Sequence, residues 1–236
     1  MLRGFKLDHS GTDINQVENL EQILSSLRHE IGNSVNSLKI TLDVLRENYD
    51  RFDDEKRRDY LKRGSDIIAK QIRLVDAMKS YSSFDVTEQG KIPFQGLWEQ
   101  FLTTWSDKME DSHIRFIHHL EIGPCLVMGN SEAVQQALSN ILENAVESVE
   151  EGEDPLIELT ATEDNGFVML VVKDNGSGIE TKNINKVFLP LFGTKPGKMG
   201  MGLPIARKLL SKMDGRIEIS SPADGGTEAG IWLRIA

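Results

Sequence analysis

The sequence predicts an α+β protein in which an antiparallel helical hairpin is followed by an α/β sandwich domain. Three observations favour this fold class. Residues 14–48 carry apolar side chains at spacings of three and four, a second stretch with the same periodicity follows a charged turn, and beyond residue 88 short strands alternate with helices. We therefore predict an N-terminal tail over 1–13, a helical hairpin over 14–87 and a second domain over 88–236.

The hairpin helices have narrow apolar stripes, and two such helices alone leave much of each stripe in water. Pairing two hairpins into a four-helix bundle would bury both stripes, so we expect a homodimer. The stripe of the first helix consists of Val17, Leu20, Leu24, Leu27, Ile31, Val35, Leu38, Leu42 and Leu45, and that of the second of Leu61, Ile68, Ile72, Val75 and Met78.

The second domain begins with a helix predicted near residues 97–109 and a strand that starts at Ile114. A further helix is predicted over 131–149, where Asn130 and Ser131 provide an N-terminal capping signal. The spacing of apolar residues in these elements alternates between that of a helix and that of a strand, which is typical of a domain with helices packed on a sheet.

The rest of the domain reads as two hairpins separated by a helix. The segments LIELTATE and FVMLVVKD flank an Asp-Asn-Gly turn, which is a signature of neighbouring antiparallel strands. A helix is predicted over 201–213, and the segments RIEISS and EAGIWLRI form a last hairpin across DGGT. We therefore expect a mixed sheet with helices on one face.

Composition and charge exclude several classes of function. The 236 residues include 27 Lys and Arg against 37 Asp and Glu, and the net charge of −10 argues against general binding to nucleic acid or anionic lipid. The single cysteine, Cys125, excludes an internal disulfide. The longest apolar run, 167–172, is far shorter than the ~18 residues of a membrane helix. We expect a soluble cytoplasmic protein, or a cytoplasmic part of a longer one.

His29 is predicted to face solvent, because it lies two residues from both Leu27 and Ile31 and so points about 200° from the buried stripe. Alone it would be an ordinary surface histidine. With Glu30 beside it and Asn33 one turn later, an imidazole, a carboxylate and an amide share one exposed patch. A neutral imidazole is a competent nucleophile near pH 7.

Three further clusters carry polar residues or glycines that suit a bound phosphate compound. Asn140 and Asn144 are four residues apart in NILENA and share a helix face, although either alone would be an ordinary polar residue. Asp174 ends an apolar strand and opens DNGSG, which is either a simple turn or a close approach of backbone to ligand. The glycine- and lysine-rich loop 193–202 leads into a helix N-terminus, which is a natural phosphate cradle. Its spacing matches neither a Walker loop nor a Rossmann fingerprint.

The order of these motifs is more specific than any one of them. HEIGN on a helical hairpin, then NILENA, DNGSG, FLPLF and GKMGMGLPIA, closely resembles the dimerisation-phosphotransfer region and the GHKL-type ATP-binding domain of two-component sensor histidine kinases. The resemblance covers residues 14–236. It implies an ATP-dependent protein-histidine kinase that uses Mg²⁺ and passes its phosphoryl group to an aspartate on a response regulator.

The resemblance also implies roles for the hairpin patch and for the amide-bearing helix. His29 matches the phospho-accepting histidine, and Glu30 matches its acid-base neighbour. Asn33 matches the position that places a water for dephosphorylating the partner, which would make the protein a phosphatase of its regulator too. Asn144 matches the residue that ligates Mg²⁺, with Asn140 one turn earlier in the same motif.

Asp174 matches the residue that accepts a hydrogen bond from the adenine amino group. The motif glycines would leave room for the base and phosphates, and two phenylalanines would pack a mobile lid whose Lys195 meets a phosphate or is simply solvated. The remaining residues of this implied ATP site are Gly176, Gly178, Phe188, Phe192, Lys195, Gly197, Gly200 and Gly202.

The chain departs from the family pattern at two positions of note. Ser34 stands where most of these kinases carry proline, which weakens the expected helix kink, and Glu147 stands where many carry a cation. The alternatives to a histidine kinase are a non-catalytic adaptor dimer and a serine kinase or other ATPase with the same nucleotide-binding fold. HEIGN argues against the serine kinase, and Asn144 and Asp174 argue against the adaptor.

Overall fold

The computed structural model describes residues 12–83, 88–150, 152–193, 200–222 and 225–236. The chain divides into two compact units, Met1–Ser80 and Tyr81–Ala236. The division falls a few residues before the predicted domain boundary at residue 88. The predicted fold class is confirmed, because two long helices precede a mixed α/β unit.

The first unit contains the two helices of the hairpin, α1 (Thr12–Glu47) and α2 (Asp54–Ser83). Asp53 opens α2, since its carboxylate accepts a hydrogen bond from the backbone N–H of Lys56 at 2.8 Å. Leu45 and Leu74 are buried. α1 runs without interruption through Ser34, whose side chain is also buried.

Much of the apolar stripe of the hairpin faces solvent in the single chain. Val35 on α1 is 59% exposed, and Val75 on α2 is 60% exposed. Together with Leu38, Ile68 and Ile72 they line a groove of about 340 Å³. A pair of helices therefore leaves apolar surface uncovered, as the sequence predicts.

The second unit packs three helices against sheets. Its helices are α3 (Phe94–Asp111), α4 (Ser131–Val149) and α5 (Gly202–Lys212), and a short 3-10 helix spans Thr181–Asn183. Its strands are β1 (Gly90–Pro93), β2 (Arg115–Glu121), β3 (Leu126–Gly129), β4 (Leu156–Asp164), β5 (Phe167–Asp174), β6 (Arg216–Ser220) and β7 (Thr227–Arg234).

The main sheet has five strands in the order β2-β4-β5-β7-β6. β2 pairs with β4 in parallel and the other pairs are antiparallel, so the predicted mixed sheet is confirmed. Asn165 and Gly166 both have positive φ in the turn between β4 and β5, as the Asp-Asn-Gly signal predicts. β1 and β3 form a separate antiparallel pair that the sequence analysis does not predict.

One face of the main sheet is covered by helices. Every second residue of β5 is buried, from Val168 through Leu170 and Val172 to Asp174. The helix α4 begins as predicted, with Asn130 Oδ1 accepting from the backbone N–H of Ala133 at 3.0 Å. Within the described part of the chain, no helix has the length and apolarity needed to span a bilayer.

Candidate active site

The exposed patch on α1 forms as the helix periodicity predicts. His29 is exposed, and Asn33 Nδ2 donates a hydrogen bond to His29 Nδ1 at 3.1 Å. In the neutral imidazole this contact makes Nδ1 the acceptor, so the ring proton lies on Nε2. The helix thus presents an imidazole whose orientation is fixed by an amide one turn away.

The second helix adds a cation to this patch. Lys70 Nζ on α2 lies 2.6 Å from Glu30 Oε1, and both side chains are about two-fifths or less exposed. Lys70 has no signal of its own in the sequence, because only the pairing of α1 with α2 brings residues 30 and 70 together. The patch therefore contains an imidazole, an amide, a carboxylate and an ammonium group.

In the second unit, Asp174 lies at the end of β5 and is only 6% exposed. Its Oδ1 accepts hydrogen bonds from the backbone N–H groups of Gly176 at 2.9 Å and Thr227 at 3.2 Å. The hydroxyls of Ser148 and Thr227 also bond to the carboxylate. Burial raises the pKa of Asp174, and these four hydrogen bonds oppose the rise.

The turn after Asp174 leaves no room for a side chain. A Cβ on Gly176 would lie 2.2 Å from Ser148 Oγ and 2.3 Å from the Ser148 carbonyl oxygen. Ser221 closes the other side, since its Oγ accepts from the backbone N–H of Ile179 and donates to the Gly226 carbonyl. The sequence analysis misses Ser148, Ser221 and Thr227, because they reach this turn only through the fold.

Asn140 and Asn144 lie on one face of α4, as predicted, and both are half-buried. Their Nδ2 atoms are buried and have no hydrogen-bond partner among the residues that the structure describes. Gly202, at the start of α5, is close to both, because a Cβ there would lie 3.6 Å from Asn144 Nδ2 and 3.7 Å from Asn140 Cβ. Buried donors without acceptors are rare in folded proteins, so these two amides mark a place for an anionic or oxygen-rich ligand.

Gly200, shortly before α5, lies against the backbone of Phe192. Gly200 has φ +61°, and a Cβ on it would lie 2.1 Å from the Phe192 carbonyl oxygen, so only glycine fits.

Phe188 packs under Arg207, whose guanidinium carbon lies 4.9 Å from the ring centre. Lys195 and Gly197 lie outside the described residues, as does most of the predicted lid. Gly178 has φ +70° beside Ser221.

No cluster of three or more His, Cys, Asp or Glu side chains in the described ranges has the spacing of a metal site. A metal here would therefore depend on amide oxygens and on ligand phosphates. That donor set suits Mg²⁺, which is commonly held by one or two protein oxygens together with substrate phosphates.

Comparisons with known proteins agree with this geometry. Residues 129–236 match the family of histidine kinase-, DNA gyrase B- and HSP90-like ATPases. They therefore form a nucleotide-binding domain of that class. Over most of its length the chain is also similar to curated sensor histidine kinases, so the family resemblance drawn from the motifs is confirmed.

Among the curated relatives, sporulation kinase C of Bacillus subtilis (strain 168) is 24% identical over 218 residues, covering 90% of this chain and 48% of the relative. Sensor histidine kinase WalK of the same strain is 26% identical over 237 residues, covering 94% of this chain and 38% of the relative. The chain thus spans half or less of the length of these relatives.

Among solved structures, histidine kinase ThkA in complex with response regulator protein TrrA aligns with a TM-score of 0.66 at 19% identity. The alignment covers 97% of this chain and 68% of that one. Full-length ShkA in complex with AMPPNP aligns with a TM-score of 0.61 at 21% identity, covering 92% of this chain and 46% of that one. These similarities establish the shared fold.

Proposed function

We propose that this chain is the kinase core of a sensor histidine kinase, which phosphorylates its own His29 from ATP and passes the phosphoryl group to an aspartate of a response regulator in the cytoplasm. The observation that carries the proposal is the exposed imidazole of His29, held by Asn33, in a chain whose other domain has the ATPase fold. A surface histidine with a fixed ring is suited to accept a phosphoryl group from a separate domain.

The reaction at His29 requires a change of partners within the patch. A bond forms between Nε2 and the γ-phosphorus as the bond between that phosphorus and the departing ADP oxygen breaks. Because Nδ1 accepts from Asn33 in the structure, attack through Nε2 first requires the tautomer with the ring proton on Nδ1, for which the Asn33 amide must turn away. Glu30 is the carboxylate beside the ring that can take this proton. To do so, the Glu30 carboxylate must break its ion pair with Lys70.

The nucleotide would bind between Asp174 and the amides of α4. Asp174, a buried acceptor, suits the amino group of adenine and rejects the carbonyl that guanine carries at the same position. The orphaned amide N–H groups of Asn140 and Asn144 suit phosphate oxygens. When bound, Mg²⁺ neutralises phosphate charge, and the carbonyl oxygen of Asn144 is the ligand that this chain offers it.

The glycine-rich segment would close over the phosphates. Gly200 and Gly202 lie at its described end, where Gly202 faces the two amides of α4. We propose that Lys195 and Gly197 belong to the same lid, and that Phe188 and Phe192 anchor its base. Gly176 and Gly178 would make room for the base of the nucleotide.

We propose that the chain acts as a homodimer through the exposed stripe of the hairpin. The groove between α1 and α2 is lined by apolar side chains, and its one buried amide, Gln71, has an Nε2 without a partner among the described residues. A second copy of the hairpin offers both the apolar cover and an amide acceptor. The four-helix bundle so formed follows the usual packing of such hairpins.

The test is incubation of the chain with γ-labelled ATP and Mg²⁺, followed by treatment of the product with acid and with alkali. We expect a label that is lost in acid and kept in alkali, and that is absent from the variant His29→Gln. The matched control is His113→Gln, which removes another exposed imidazole from the second unit.

The outcomes separate this proposal from its alternatives. An acid-stable label indicates a serine kinase with the same nucleotide-binding fold. Nucleotide binding without any labelling, together with a stable dimer, indicates an adaptor. Transfer of the label to a receiver domain, followed by its loss in a reaction that depends on Asn33, supports the further proposal of phosphatase activity.

A further inference from the structure

Ser148 ties the end of α4 to the turn that follows Asp174. It lies one turn beyond Asn144, and its hydroxyl is hydrogen-bonded to the Asp174 carboxylate. The backbone N–H of Ser177 donates to the Ser148 carbonyl at 3.3 Å. A Cβ on Gly176 would lie 2.2 Å from Ser148 Oγ, so the two residues are in direct contact. Ser148 thus touches this turn with both its side chain and its backbone.

The donors around Asp174 are of two kinds. The backbone N–H groups of Gly176 and Thr227 are fixed by the chain and both bond to Oδ1. The hydroxyls of Ser148 and Thr227 can rotate. The two backbone donors share Oδ1, which leaves Oδ2 as the carboxylate oxygen for an arriving amino group.

We propose that Ser148 is a positioning residue for nucleotide selection: its hydroxyl holds the Asp174 carboxylate ready to accept a hydrogen bond from the amino group of adenine. This inference rests on the proposed binding of ATP at Asp174. It names a residue that no motif of the family resemblance includes. Ser148 acts through Asp174.

The charge state of Asp174 gives this role a measurable signature. The hydrogen bond from Ser148 lowers the pKa of Asp174 against the larger effect of burial. The neighbouring charged residues are Glu147 on α4, Lys173 on β5 and Glu228 on β7. The pKa of Asp174 is set by burial and hydrogen bonds, with none of these charges among its causes. Loss of the Ser148 hydroxyl therefore raises the pKa of Asp174 further. Asp174 then becomes protonated at a higher pH, so adenine binding is lost earlier as the pH is lowered.

The experiment measures binding of fluorescent ATP and GTP analogues to the full chain between pH 5 and 8. At pH 7, Ser148→Ala should bind the ATP analogue roughly 2- to 10-fold more weakly, which is the loss of one ordinary hydrogen bond. The pH midpoint of binding should rise, because the hydrogen bond from Ser148 lowers the pKa of Asp174. The control is Ser139→Ala on the same helix, which removes an acceptor from Trp105 Nε1 and should change neither quantity.

Ser148→Cys keeps a weaker donor of similar size, and we expect it to fall between wild type and Ser148→Ala. A Ser148→Ala variant with the wild-type affinity and midpoint, or with an equal loss of affinity at every pH, overturns the proposal. If the wild-type chain itself binds neither analogue, the proposed function fails first. If it binds ATP with no difference among the three proteins, only the role of Ser148 fails.

Discussion

Replacing Asp174 with asparagine separates what this residue does for binding from what it does for folding. The amide oxygen of asparagine still accepts from the backbone N–H groups of Gly176 and Thr227. The second oxygen becomes an NH₂ group, which cannot accept from the amino group of adenine. A hydrogen bond to a charged group is worth about 1.5–3 kcal/mol, so Asp174→Asn should weaken ATP binding roughly 10- to 150-fold.

The effect on stability should have the opposite sign or be absent. Burial raises the pKa of Asp174, so its ionised form costs folding free energy. Below about pH 3.9, which is the pKa of Asp174 in the unfolded state, this cost is absent and the stability is at its full value. The stability is lost as the pH rises through the higher pKa of the folded state. Asparagine does not titrate. The variant should therefore melt at or above the wild-type Tm at pH 7, and this difference should vanish as the pH falls toward 4.

The assay combines nucleotide titration with thermal melting of the same samples, without nucleotide, between pH 4 and 8. A control is Asp164→Asn at the far end of the β4–β5 hairpin, where the carboxylate accepts from Trp232 Nε1. It should leave nucleotide binding unchanged. Each kcal/mol shifts Tm by about 2–4 °C in a domain of this size. A twofold or smaller change in ATP affinity for Asp174→Asn, or a clear fall in its Tm at pH 7, refutes the reasoning.

Four further substitutions test the other residues. His29→Gln should abolish acid-labile labelling while leaving the Tm and ATP affinity unchanged, because the side chain is exposed; labelling in the variant contradicts the assignment. Asn144→Ala should weaken binding of the ATP analogue about tenfold or more only when Mg²⁺ is present, and an equal loss without Mg²⁺ contradicts metal ligation. Gly176→Ala should abolish nucleotide binding because its Cβ would overlap Ser148, whereas Gly123→Ala, in open space, should have no effect. Asn33→Ala should slow loss of phosphate from the response regulator by about tenfold or more while labelling stays within about threefold, a gap of over ~0.7 kcal/mol that equal effects would rule out.

The fold could be predicted wherever the local pattern is long or the turn chemistry is specific. The stripe of α1 repeats from Val17 to Leu45, and Asn165 with Gly166 fixes the β4–β5 turn. Asn130 caps α4 where the sequence places the helix start. β1 and β3 have four residues each, which is too short for a period to emerge, so their pairing is missed.

The site could be predicted only to the extent that its residues lie in contiguous motifs. His29 with Asn33 and Asn140 with Asn144 are each one helical turn apart, so helix geometry alone groups them. Lys70 reaches Glu30 across two helices. Ser148 and Thr227 reach Asp174 from separate elements, and neither has a sequence signal of its own. Tertiary contacts of this kind depend on the packing of the whole unit.

The residues that the motifs select are also those whose polar groups are buried at a cost in folding free energy. A carboxylate that is 6% exposed costs folding free energy unless it is fully satisfied, and a buried amide N–H without an acceptor costs more than one in water. Asp174, Asn140 and Asn144 combine these features in one unit, beside a helix start with close-packed glycines. A ligand with an amino group to donate and phosphate oxygens to accept would remove each cost at once. The cost of burying these polar groups and the identity of the motifs are independent observations, and both favour an adenine nucleotide at this site.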